Sequence, residues 1–213
     1  MLKLTILYRG PLSDCNYACP YCPMPKRRET ADERAADQLA LERFCDWAEE
    51  RTDIRLAIFF TPRGEALKRS SYQEALRRLS CLPHVTKTAI QTNLSCSLQW
   101  VQHCDPQKLA LWCSYHPEQV SHEKFLAQCQ QLDLHHIRYS VGVVGIREQY
   151  DAAARLRRAL NENVYLWVNA YKEEPGYYSH DESLRWQTID PMFQTNTHPH
   201  SSLNQLCRCG HSV

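Results

Sequence analysis

Short apolar runs alternate with longer amphipathic stretches along this chain. The runs at 3–8, 55–61, 86–92, 109–115, 137–144 and 164–170 are rich in Leu, Ile, Val and aromatic residues, with turn formers at their ends. That pattern predicts six β-strands. The stretches between them carry apolar residues at helical spacing. Over 32–50, Leu39, Leu41, Phe44, Cys45 and Trp47 fall roughly on one helical face. Thr30-Ala31-Asp32-Glu33 supplies a capping box ahead of that helix, and Ser71-Tyr72-Gln73-Glu74 predicts a second one. Further helices are predicted over 118–134 and 148–162, with a shorter one after Ser95. Strand-then-helix alternation predicts a parallel sheet, because parallel strands need long crossovers. Six strands fall short of the eight of a closed barrel. The α/β class therefore leaves two architectures, a partial (β/α)6 TIM-like barrel that is laterally open, or an open doubly wound sheet. Both place functional residues at the C-terminal ends of the strands. After residue 170 the periodicity fades into a turn-rich stretch, a predicted helix over 181–193 and an irregular tail. This divides the chain into a core, 1–170, and a C-terminal extension, 171–213.

Composition narrows the class. With 213 residues, 43% hydrophobic and 23% charged, the chain reads as an ordinary soluble domain with room for a sizeable core. A net charge of +1 speaks against bulk nucleic-acid binding. No apolar run reaches a membrane span, and the N-terminal apolar stretch is too short for a secretory signal, so a cytoplasmic location is expected. The 11 cysteines are an odd number without an export signal, which disfavours a disulfide scaffold. Cys81 and Cys113, in apolar surroundings, read as small core residues.

Three of the cysteines stand apart. Cys15, Cys19 and Cys22 form C-x3-C-x2-C in the loop after the first strand, with Tyr21 just before the last. Given the number of cysteines, only about 0.02 accidental matches to this spacing are expected. Three thiolates can ligate three irons of a four-iron cluster and leave the fourth open to a ligand. A structural zinc site is the competing reading. It would want a fourth ligand and a second C-x2-C pair, and only Cys19 and Cys22 make such a pair.

The spacing and the aromatic slot resemble the signature of radical S-adenosylmethionine (SAM) enzymes. The resemblance covers roughly residues 2–170. It favours the partial barrel and implies a [4Fe-4S] cluster on Cys15, Cys19 and Cys22, with SAM as cosubstrate. It also implies roles elsewhere. Phe60-Thr61-Pro62-Arg63-Gly64-Glu65-Ala66 is similar to the Gly-Gly-Glu-Pro-like motif that holds the SAM amine. Gly64 and Glu65 match, whereas Arg63 and Ala66 depart from it. Gln91-Thr92-Asn93-Leu94-Ser95 is similar to a Thr-Asn-Gly turn, making Asn93 a ribose ligand or a helix cap. Ser114 stands at a ribose position, and His116 follows it at a strand end as a proton shuttle, a substrate contact or a structural histidine. Gly142 and Gly145 loosely resemble a glycine-containing shelf for adenine, and Asn169 ends the sixth strand facing the same mouth.

The resemblance implies reductive cleavage of SAM to a 5′-deoxyadenosyl radical that abstracts hydrogen from a peptide or small metabolite. A flavodoxin or ferredoxin is the implied electron donor. Two alternatives remain, a zinc-stabilised binding module and a degenerate cluster-binding domain without turnover. Cys207-Arg208-Cys209-Gly210 resembles the opening of a Twitch or SPASM extension, which reads as a truncated auxiliary-cluster region. His198 and His200 lie nearby and read as a solvated loop.

Overall fold

In the computed structural model, residues 2–24 and 27–197 are described. Cys207, Cys209, His198 and His200 lie outside them. The strands are β1 (Leu2–Tyr8), β2 (Ile54–Phe60), β3 (Val85–Thr92), β4 (Leu109–Ser114), β5 (Arg138–Val144) and β6 (Leu166–Asn169). The helices are α1 (Ala31–Glu50), α2 (Ser70–Cys81), α3 (His122–Leu134), α4 (Tyr150–Ala159) and α5 (His180–Gln187). All strand pairs are parallel and the sheet order equals the chain order, from β1 to β6. The outer strands do not pair with each other. The sheet is thus a partial, laterally open α/β barrel.

One face of the sheet carries the core. Leu56, Ile58 and Phe60 of β2, Ile90 of β3, Leu111 and Cys113 of β4, Val141 of β5 and Val168 of β6 are all buried on it. The opposite face follows from the registers Leu7↔Phe59, Phe59↔Ala89, Gln91↔Trp112, Trp112↔Ser140 and Gly142↔Trp167. On it Phe59 stacks on Trp112, and Trp112 meets Trp167 edge-on with ring centroids 4.9 Å apart. Period-two alternation of side chains along each strand separates these two faces.

Helix ends show where local signals decide and where they do not. The capping box at Thr30 is formed, with Glu33 N–H donating to Thr30 Oγ1 at 3.2 Å and Thr30 N–H donating to Glu33 at 2.9 Å. Thr30→Ala is expected to cost about 1 kcal/mol, read as a lower chemical-denaturation midpoint at unchanged slope. The box expected at Ser71 does not form. The helix begins two residues earlier, after Arg69, and has no side-chain cap. In α1 the buried stripe is Asp37, Leu41, Cys45 and Ala48, and Leu39 points outward, 48% exposed. Cys81 is likewise exposed, at the last position of α2, whereas Cys113 is buried. The predicted helix over 118–134 starts only at His122, capped by Ser121. After Ser95 there is a 3-10 turn, Gln99–His103, rather than an α-helix.

Residues 177–196 pack on the sheet. Trp186 and Phe193 are buried there. Asp190 accepts from Val168 N–H at 2.8 Å and from Tyr165 at 2.7 Å. Asn196 accepts from Ala170 N–H at 2.7 Å and donates to Val168 O at 3.0 Å. Side chains thereby take the hydrogen bonds that a further strand would make, and the β6 edge is closed against unwanted pairing. No described helix is long and apolar enough to cross a membrane.

Candidate active site

The loops after the strands enclose a cleft of about 530 Å³ at the C-terminal end of the sheet. Of the residues singled out in the sequence, Cys15, Cys19, Cys22, Gly64, Glu65, Asn93, Ser114, His116, Gly142 and Asn169 line it. Gly145 does not. Its N–H donates to Asn169 O and its carbonyl accepts from Tyr178, so it ties the end of β5 to the segment after β6.

Residues 13–21, which contain the first two cysteines and lead into the third, are held at three places. At the start, Glu29 accepts from the N–H groups of Ser13 and Asp14. Asp14 O accepts from Glu65 N–H at 3.0 Å, and Asp14 pairs with Lys68 at 2.9 Å. In the middle, Asn16 accepts from Asn93 at 3.0 Å and donates to Ser95 at 2.9 Å. At the far end, Ala18 N–H donates to Gln119 at 2.8 Å, and the Tyr21 hydroxyl is 3.0 Å from His116 Nδ1. The loops after β2, β3 and β4 each supply one of these anchors.

Beneath the first anchor lies a buried charge cluster. Arg69 pairs with both Glu29 and Asp37, and Tyr72 donates to Asp37 at 3.0 Å. Burial pushes the Glu29 carboxyl up, but the Ser13 N–H and Arg69 outweigh it and hold the group below its usual range. Asp37 is shifted upward by its burial despite Tyr72 and Arg69.

Glu65 is buried beside the cysteines. Its carboxylate accepts from Leu67 N–H at 3.0 Å, from the Thr92 hydroxyl at 2.8 Å and from Asn93 N–H. Burial pushes its pKa up against those three donors. It braces the β2 loop against the β3 loop, a structural role that the Gly-Glu motif did not reveal. Gly64 is there because nothing larger fits, since a Cβ would stand 2.0 Å from Asp14 O. At Gly142 a Cβ would stand 2.4 Å from the Trp167 ring, which lies across the bare glycine.

His116 lines the cleft, and burial pushes its pKa down to about 4, so the ring is neutral. Burial pushes the Cys15 thiol up, with Glu65 adding to the effect. The sequence reading missed Arg9, Tyr17, Trp167, Tyr171, Lys172 and Glu173, which also line the cleft. Arg9 was findable as the residue after the first strand, on the same alternation phase as Leu7.

Similarity to solved structures decides the fold. Native anSMEcpe with bound AdoMet matches over 93% of this chain at 14% identity, with a TM-score of 0.56. The chain shares its fold. A hexahistidine-tagged form of anSMEcpe with AdoMet matches over 92% at 13% identity and TM-score 0.58. A complex of anSMEcpe with AdoMet and the Cp18Cys peptide matches over 86% at 13% identity and TM-score 0.58. anSMEcpe is an anaerobic sulfatase-maturating enzyme, a radical SAM enzyme. The present chain spans 63%, 60% and 57% of the respective anSMEcpe chains. No family profile and no curated protein matches the sequence.

The donor set suits an iron–sulfur cluster. Three thiols on one loop share a cleft, and the nine described cysteines form no disulfide. Among the described residues no three His, Cys, Asp or Glu side chains converge as a metal site. A nucleoside cosubstrate also suits the cleft. The Trp167 indole N–H is buried with no acceptor among the described residues, and Asn93 and Ser114 add polar groups along the same wall. A few polar groups on an otherwise largely apolar wall are the usual make-up of a small-molecule site.

Proposed function

We propose that this chain is a radical SAM enzyme. The observation that carries the reading is the shared cleft, in which Cys15, Cys19 and Cys22 face Gly64, Glu65, Asn93, Ser114 and Gly142 at the strand ends. Cys15, Cys19 and Cys22 ligate a [4Fe-4S] cluster. When bound, that cluster supplies the electron that cleaves SAM to a 5′-deoxyadenosyl radical. The chain's own residues do the positioning. The Gly64–Glu65 segment brings backbone close to the cysteine loop for the SAM amine, and Asn93 and Ser114 take the ribose. The Gly142–Trp167 surface takes the adenine, with the free indole N–H as a donor. Loops after β1, β2, β3, β4 and β6 surround the reacting groups.

The lateral opening lies between β1 and β6, with Arg9 on one side and Tyr171, Lys172 and Glu173 on the other. Such a gap admits an extended chain as readily as a small molecule. The peptide bound in the anSMEcpe complex supports a peptide substrate here. The electron donor is proposed to be a flavodoxin or ferredoxin.

The test is 5′-deoxyadenosine formation from SAM by anaerobically reconstituted protein with dithionite. The Cys15/Cys19/Cys22→Ala protein is the control. Product from the wild type alone is expected, with iron and sulfide bound. A colourless protein that binds zinc instead would favour the binding-module reading. A fully loaded protein that forms no product would indicate a domain that has lost turnover.

A further inference from the structure

The turn after β4 reaches back over residues 18–21. His116 opens it, and the Gln119 and Val120 N–H groups both close on His116 O, at 2.9 and 3.2 Å. One tight turn therefore fixes the His116 and Gln119 side chains relative to each other. They grip the cysteine loop on either side of Cys19, Gln119 through Ala18 N–H and His116 through the Tyr21 hydroxyl. The contact extends beyond one hydrogen bond. The His116 ring lies 5.9 Å from Tyr21 in stacked orientation and 5.9 Å from Tyr17 edge-on. Tyr17, Ala18 and Tyr21 lie between the three cysteines in the chain, so the turn touches both spacers of the motif.

We infer that His116 is a positioning residue for the cluster, latching Tyr21 and so fixing the directions of the Cys19 and Cys22 thiolates. This rests on the radical SAM reading above. A neutral imidazole has one donor and one acceptor nitrogen, and either tautomer closes the bond to a hydroxyl. Groups that orient metal ligands without touching the metal commonly matter almost as much as the ligands. The thiols of a loop without regular secondary structure have many directions open to them, and a latch on the residue between two ligands removes most of these.

The experiment measures iron release to a chelator from anaerobically reconstituted protein, followed by loss of cluster absorption. It compares wild type, Tyr21→Phe, His116→Phe, the double variant and His116→Asn. Phenylalanine keeps a ring and removes the polar partner, and asparagine restores a polar group near Nδ1. His116→Phe and Tyr21→Phe are each expected to release iron about tenfold faster than wild type. The Tyr21 hydroxyl also bonds Gln149 and Cys19, so Tyr21→Phe removes more than the latch, and the double variant should match Tyr21→Phe instead of multiplying the singles. His116→Asn should fall back toward the wild-type rate. Thermal melting of the apoproteins, expected to be unchanged, separates a latch from a general loss of fold. If His116→Phe does not fold, His116→Leu takes its place in the comparison, with Tyr21→Phe and His116→Asn as before. Wild-type release rates in the variants, or multiplied effects in the double variant, would overturn the latch and leave the cluster in place. A wild type that takes up no iron would defeat the radical SAM reading and the latch with it.

Discussion

Arg69→Met is expected to lower stability by about 3–5 kcal/mol, because it strands two buried carboxylates. Arg69 is the common cation of Glu29 and Asp37, whose side chains are 2% and 1% exposed. Methionine fills much of the same volume but leaves both charges uncompensated. For a chain of this size that corresponds to a melting temperature lower by roughly 10 °C or more, measurable by calorimetry on the apoprotein. The pH dependence checks the cause. In the variant both carboxyls lose their attraction to a cation, so the Glu29 pKa rises above its unfolded value and the Asp37 pKa, already raised by burial, rises further. Protonation as the pH falls then favours the folded form, and the deficit against wild type should shrink toward pH 5. A deficit that stays constant with pH would assign the loss to packing. Glu29 also holds the Ser13 and Asp14 N–H groups, so the variant should bind iron less tightly even where it remains folded.

Gly64→Ala is the second large effect. The added Cβ would lie 2.0 Å from Asp14 O and 2.6 Å from Asp14 C, both main-chain atoms that cannot swing aside as a side chain would. The Glu65 N–H bond to Asp14 O must then lengthen or break, and the strand end moves away from the cysteine loop. Overpacking of this kind typically costs about 1–3 kcal/mol. The functional loss should be larger than the stability loss, since the displaced residue directly precedes Cys15. Iron content after reconstitution and melting temperature of the apoprotein measure the two separately. Unchanged values in both would mean that the two loops do not approach each other this closely.

The α/β alternation was legible because each strand buries one face, and its apolar residues are concentrated in runs of about 6–8 that local composition marks out. The cysteine triplet was legible because spacing within one short loop is a local property. Thr30/Glu33 and Ser71/Glu74 show the limit of local signals, since both carry the capping pattern and only the first caps. At the second, the extended backbone of Arg69 starts the helix two residues early and puts Ser71 inside the first turn. The same limit hid the anchors of the site. Gln119 meets Ala18, and Asn93 meets Asn16, across long stretches of chain, and polar residues of this kind have no periodicity that could announce them. Trp167 read as a strand residue, and its place over Gly142 emerges only when β5 and β6 are paired in register.

The three anchors of residues 13–21 described above lie between Ser13 and Gln119, within β1 to β4 and their loops. Because sheet order follows chain order, none of those four strands depends on a later strand to join it to its neighbours. During synthesis, the nascent chain holds these three anchors of its thiol loop once Gln119 has left the ribosome, and Gln149 adds a further contact to Tyr21 later. β5, β6 and residues 177–196, which follow, build the far wall of the cleft and cover the β6 edge. Vectorial folding of this kind gives the thiols a defined address before the rest of the protein exists.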